Sequence, residues 1–154
     1  MRVTIVKTLN EMIKIIISSK ICFLSMADEN GMPYNLPFNF GYQDNYIYLH
    51  SGLDGKKIDI LKNNPNVCIA FSNSEELAYQ SEKVACSYFM RYKSVLVFGK
   101  VEFIEDYHEK EKALGIVMKQ YTGKEDFTYN TPSINNVLCF RVSTENMTGK
   151  MMGY

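Results

Sequence analysis

Leu9, Met12, Ile13, Ile16 and Ile17 recur at i, i+3, i+4, i+7 and i+8, a single apolar stripe with polar positions between. This is the period of an amphipathic helix. Thr8, with Glu11 three residues later, has capping-box spacing, in which each side chain can satisfy a free N–H of the first turn. The helix should cover one end or side of a core.

Four extended segments follow. Residues 21–27 are apolar and end in the turn signal Asp28-Glu29-Asn30-Gly31. Residues 34–42 alternate loosely and carry Pro37, which places the segment at an edge or a bulge because proline donates nothing to a ladder. Gln43-Asp44-Asn45 is a turn, with 46–49 as its hairpin partner, and 66–73 is a further apolar run bounded by polar residues. A short helix over 53–63 separates the last two, with Ser51 and Asp54 as its cap signal and Asn63-Asn64-Pro65 as its stop.

The polar stretch 75–82 reads as a loop or short turn. Residues 94–103 form the longest strand candidate, with Val95, Val97, Val101 and Phe103 on one face and Ser94, Lys100 and Glu102 on the other. A helix over 106–121 follows, capped by Asp106 and Glu109 and stopped by Gly123. After an irregular, mobile-looking stretch, 137–142 makes a final strand. Roughly six strands broken by three helices do not alternate as βαβ units would. The pattern predicts a mainly β fold: one domain over 1–154, an antiparallel sheet closed into a barrel, with peripheral helices.

Composition narrows the function. Seventeen basic and seventeen acidic residues cancel, so no net field steers nucleic acid or an anionic membrane, and any anion site must be local. Cys22, Cys68 and Cys139 sit among apolar neighbours and read as buried, reduced thiols; Cys86 lies in a more polar stretch. Ile15-Ile16-Ile17 is far too short to span a bilayer, and a cytoplasmic location is expected. There is no Ser-His-Asp order, no paired carboxylates at helical spacing and no metal cluster.

Three stretches carry candidate chemistry. Residues 46–57 read strand, polar corner (His50, Ser51), glycine, then a helix opening with Lys56 and Lys57; free N–H groups and two cations make a plausible phosphate cradle. It has neither P-loop nor dinucleotide-fingerprint spacing. Arg91-Tyr92-Lys93-Ser94, at the start of the long strand, could complete an anion site. In the third, the proline-interrupted segment around Leu36, Pro37, Phe38 and Asn39 leaves backbone groups unpaired, able to meet the edge of a planar heterocycle. Taken singly, the first reads more readily as a solvated helix start and the second as an ordinary charged strand entry, and the third as well as a plain edge strand.

Taken together and in this order, the segments P-Y-N-L-P-F-N-F (33–40), I-Y-L-H-S-G…G-K-K-I-D-I-L-K-N-N-P-N-V-C (47–68), Y-K-S-V-L-V-F-G-K-V (92–101) and V-S-T-E-N-M-T-G-K (142–150) resemble the FMN-binding split-barrel superfamily related to pyridoxamine 5′-phosphate oxidase. Within it they are most similar to the branch of nitroimidazole-resistance proteins. The resemblance implies a six-stranded split β-barrel and a homodimer with FMN at the subunit interface. It implies FMN phosphate near Ser51, Lys56 and Lys57, helped by the Tyr92–Lys93–Ser94 segment, and the flavin ring along Leu36 to Asn39. It also puts His50 close to the cofactor, as a proton donor or a substrate-facing polar group.

The expected function is then an FMN-dependent oxidoreductase acting on a small nitroaromatic or another planar molecule. The alternatives are a flavin-binding protein without turnover, in storage or sensing, and a deazaflavin- or haem-binding protein on the same barrel. No histidine follows His108, which disfavours haem. The chain ends soon after Gly149-Lys150, without the arginine- and tryptophan-bearing segment that holds substrate phosphate in true pyridoxamine-phosphate oxidases, so vitamin B6 oxidation is not expected.

Overall fold

In the computed structural model, which describes residues 3–154, ten strands form two antiparallel sheets around a shared core. The larger sheet runs β1 (Val3–Val6), β10 (Met147–Met152), β7 (Phe89–Lys100), β6 (Asn66–Ala78), β2 (Cys22–Ala27) and β3 (Pro33–Phe38). The smaller runs β4 (Gly41–Gln43), β5 (Tyr46–Ser51), β9 (Leu138–Ser143) and β8 (Glu102–Ile104). The chain crosses between sheets at Asn39-Phe40 and again at Val101, so each of two predicted long strands is broken at a corner. Mainly β, antiparallel and split-barrelled, the fold is the expected one.

Alternation decides the faces. Val95, Val97 and Val101 point into the core with Val67, Ile69, Phe71, Cys22 and Leu24, while Leu96, Phe98 and Phe23 stand on the outer face. Phe140 seals the corner between sheets, edge-on to Phe38 and Phe103. Pro37 lies in β3, an edge strand as its missing N–H requires.

Four helices flank the sheets among the described residues. In α1 (Leu9–Ser18) Glu11 N–H donates to Thr8 Oγ1 at 3.3 Å and the Thr8 hydroxyl donates to the Glu11 carboxylate at 2.8 Å. The buried side of α1 is turned from the predicted stripe: Ile15 and Ile16 are buried, whereas Leu9 and Ile17 are nearly half exposed. α1 packs across β6, β7 and β10, and its approach to β10 is close: a Cβ on Gly149 would stand 2.7 Å from Val6 Cβ and 2.9 Å from Met12 Cγ. The glycine of the T-G-K ending is therefore where β1 and α1 close on β10.

α2 (Lys56–Asn63) starts three residues later than predicted, and neither Ser51 nor Asp54 caps it; Ser51 is still in β5 and Gly55, at φ 108°, is the N-cap. α3 (Tyr107–Thr122) has the predicted caps, Asp106 accepting from Glu109 N–H at 3.0 Å and Gly123 in the left-handed region. Gly41 lets α3 lie close against β4, since a Cβ there would meet the Ile116 backbone at 2.7 Å. The irregular stretch contains α4 (Thr131–Asn135), capped by the Asn130 side chain.

The first half of the loop predicted over 75–82 is strand, and only 79–82 are irregular. β6 continues to Ala78 past a bulge between Asn73 and Glu76, with Ser74 at φ 59°. Charge and polarity hid it, because this part of the hairpin overhangs the core and buries little. No helix among the described residues is long and apolar enough to cross a membrane.

Candidate functional site

An open cleft of about 510 Å³ lies where β3, the end of β5 and the start of α2 meet. Leu36, Pro37, Phe38 and Asn39 form one wall. β3 pairs with β2 along one side only, so its other side presents unpaired N–H and C=O groups.

The second wall is the end of β5, where His50 is paired across to Cys139 and Ser51 to Leu138. His50 Nδ1 and Ser51 Oγ are both buried and have no hydrogen-bond partner. Buried polar atoms are nearly always paired, so two neighbouring orphans in a cleft mark places for a guest's donors and acceptors. Burial pushes the His50 pKa below its ordinary 6.5, which keeps the imidazole neutral at neutral pH.

The third wall is Gly52 and Lys57. Gly55 gives α2 no side-chain cap, so the first N–H groups of the helix stay available for an anion. Lys57 is half-buried at this wall, whereas Lys56 is exposed and sits over the Tyr34 ring, 4.8 Å from its centroid.

Leu36, Pro37, Phe38, Asn39, His50, Ser51 and Lys57 thus come together around one cleft. Lys56, Tyr92, Lys93 and Ser94 do not line it. The motif on β7 is divided by strand alternation: Tyr92 and Ser94 share the outer face with Leu96 and Phe98, while Arg91 and Lys93 share the other with Val95. Lys93 Nζ stands 4.7 Å from the Tyr154 ring centroid, and Arg91 pairs with Glu76 at 3.4 Å. Gly52, the glycine of the predicted cradle, lines the cleft too, and so does Ile21, which was not singled out; Ile21 reads as one more residue of an apolar strand, and only its position before β2 brings it to the mouth.

The four cysteines are free; Cys22 and Cys139 are buried, Cys86 is exposed, and Cys68 is half-buried on the outer face rather than in the core as predicted.

A family model described as pyridoxamine 5′-phosphate oxidase matches residues 8–151. Among solved structures, one from Bacteroides thetaiotaomicron, named for 5-nitroimidazole antibiotic resistance, superposes with a TM-score of 0.87 at 43% identity, over 97% of this chain and 87% of that one. A flavocytochrome from Azotobacter vinelandii superposes at 0.83 with 17% identity, over 97% of this chain and 70% of its own. A FAD and haem binding protein from Mycobacterium smegmatis superposes at 0.82 with 13% identity, over 97% and 74%. These last two speak to the fold alone. No curated protein sequence matches the chain.

Proposed function

Since this chain belongs to the pyridoxamine 5′-phosphate oxidase family, we propose that it is an FMN-dependent oxidoreductase that reduces a small planar substrate such as a nitroaromatic. The observation that carries this reading is the pair of buried, unpartnered atoms, His50 Nδ1 and Ser51 Oγ, in a cleft that also holds a free strand edge and Lys57. A flavin mononucleotide matches that set: a planar ring with donors and acceptors along its edge, and a phosphate.

When bound, FMN supplies the hydride chemistry, so the chain needs no nucleophile of its own. Ser51 Oγ, Lys57 Nζ and the uncapped N–H groups of α2 hold the phosphate. The free edge of β3 over Leu36 to Asn39 aligns the ring. His50, neutral, orients the substrate and passes a proton at its ring nitrogen.

The second subunit completes the site. Phe23, Leu96 and Phe98 are each about two-fifths exposed on the outer face of the larger sheet, where Phe23 and Leu96 flank Ala70 in register. A second copy covers this apolar face, which directs Tyr92 and Ser94, further along it, toward the partner's cleft.

The test is the absorbance spectrum of the purified protein and a titration with FMN. Stoichiometric uptake, followed by NADH- or NADPH-driven loss of a nitroaromatic, supports the reading. Uptake without any reduction points to a flavin-binding protein without turnover. Failure to take up FMN sinks the proposal and moves attention to a deazaflavin.

A further inference from the structure

The ladder between β2 and β3 begins with Ala27 opposite Pro33 and ends with Cys22 opposite Phe38. Two further steps in the same register bring Ile21 opposite Asn39 and Lys20 opposite Phe40. Bonded and unbonded pairs alternate in an antiparallel ladder, and Pro37, with no N–H to give, falls in the unbonded set with Phe23. Lys20 and Phe40 belong to the other set, so the register sets them up to exchange a bond. The ladder stops short of them.

A side chain from the end of α3 takes the place of that bond. The Phe40 N–H donates to the Tyr121 hydroxyl oxygen at 3.2 Å, and the same hydroxyl donates to the Lys20 carbonyl at 2.9 Å. An oxygen set between N–H and C=O spreads the two strands, because a direct bond would bring those groups to about 2.9 Å. The Tyr121 ring stands edge-on to Phe40 with centroids 6.3 Å apart. One residue earlier, Gln120 Nε2 donates to the Ile17 carbonyl at 2.7 Å, so two adjacent side chains seat this turn of α3 on the end of α1 and the corner beyond it.

Between this wedge and the last ladder pair lie Ile21 and Asn39, and both line the cleft. Asn39 also ends the free strand edge that aligns the flavin ring. We propose that Tyr121 is a positioning residue: its hydroxyl, wedged between Phe40 and Lys20, sets the gap between Ile21 and Asn39 and with it the seat of the ring. Tyr121 does not line the cleft and acts through the backbone next to two residues that do. Without the hydroxyl, the Phe40 N–H and the Lys20 carbonyl close on each other in the register already set, and Asn39 moves with them. The assignment rests on the flavin reading of the cleft.

Tyr121→Phe keeps the ring against Phe40 and removes only the bridge. The test is FMN titration of the wild type, Tyr121→Phe and Gln120→Ala, read by affinity and by the visible absorption band of the bound flavin. Tyr121→Phe is expected to bind FMN about tenfold more weakly, with the flavin band displaced from its wild-type position. Gln120→Ala, which loosens the same turn of α3 but leaves the bridge, should match the wild type in both. By reciprocity FMN steadies the bridge in return, so hydrogen exchange of the Phe40 amide in the wild type should slow when FMN binds. A Tyr121→Phe protein with a lower urea midpoint but wild-type FMN affinity and spectrum makes Tyr121 a structural residue only and overturns the proposal. So does Phe40 exchange indifferent to FMN, or a Gln120→Ala protein displaced as far as Tyr121→Phe, which assigns the effect to the docking of α3 as a whole. A wild type that takes up no FMN fails the cleft reading, and the positioning role falls with it; uptake indifferent to Tyr121→Phe fails the positioning role alone.

Discussion

Lys93 lies over the ring of Tyr154, its Nζ 4.7 Å from the centroid, on the face of β7 opposite to Tyr92 and Ser94. One strand cannot deliver adjacent residues to the same anion, because successive side chains leave on opposite faces. Gly153 makes the contact with Tyr154 possible: at φ 74° it turns the chain across β7, where any Cβ would meet Arg91 and Phe89 at 2.8 Å. Ser94→Ala should therefore weaken FMN binding by about 1 kcal/mol, the worth of one hydrogen bond. Lys93→Ala should leave FMN affinity unchanged and cost only the cation–π contact. Parallel FMN titrations of the two variants check this.

His50→Ala should slow turnover while FMN stays bound, and unchanged turnover would remove His50 from the mechanism. The same residue sets a pH dependence in the flavin-free protein. Its folded pKa lies below the ordinary 6.5, so as pH falls below that value the unfolded chain takes up the proton first. Its stabilising contribution is present above about pH 6.5 and is lost as pH falls toward the lowered folded value. Denaturation midpoints measured across this range should decline with acidity in the wild type and flatten in His50→Asn.

Two glycines should respond oppositely to alanine. At Gly41 the new Cβ meets the carbonyl carbon and oxygen of Ile116 at 2.7 Å, and backbone cannot step aside. A loss of about 1–3 kcal/mol is expected. At Gly115, inside α3, nothing lies within 4 Å, and Gly115→Ala should gain about 0.5–1 kcal/mol from helix propensity. Urea titrations of both variants measure the two signs.

Thiol labelling of the native protein should proceed in order of access. Cys86 is exposed and should react first, with Cys68 slower. Burial pushes Cys22 up to about 12 and Cys139 up to about 11, so neither offers thiolate at neutral pH. A disulfide-exchange reagent followed by mass mapping should find both unmodified until the protein unfolds.

A charge on the outer face should break the assembly. Leu96→Asp is expected to elute as a monomer in size-exclusion chromatography and to lose FMN affinity, because Tyr92 and Ser94 no longer meet a partner's cleft. A monomeric variant with FMN affinity intact would show that one subunit holds the cofactor alone.

The local features were legible because they are set by neighbours in sequence. The Thr8 and Asp106 caps, the Gly123 stop and the edge position of Pro37 each follow from a hydrogen bond or dihedral within a few residues. So does the strand alternation at Val95 and Val97, which depends only on a period of two. Ordered motifs also showed the family, and Leu36 to Asn39 lie with His50, Ser51 and Lys57 around one cleft. Three things depended on tertiary contact. The face of α1 that is buried was settled by its packing on β6, β7 and β10, all distant from it in sequence. β6 extends through the polar residues after Asn73 because Glu76, Leu77 and Ala78 find partners on β7, not because their composition favours a strand. The separation of Lys93 from Ser94, and the bridge from Phe40 through Tyr121 to Lys20, arise from register and from the docking of α3. A sequence records which residues alternate; only the pairing of distant strands decides which side of the sheet each alternate set occupies.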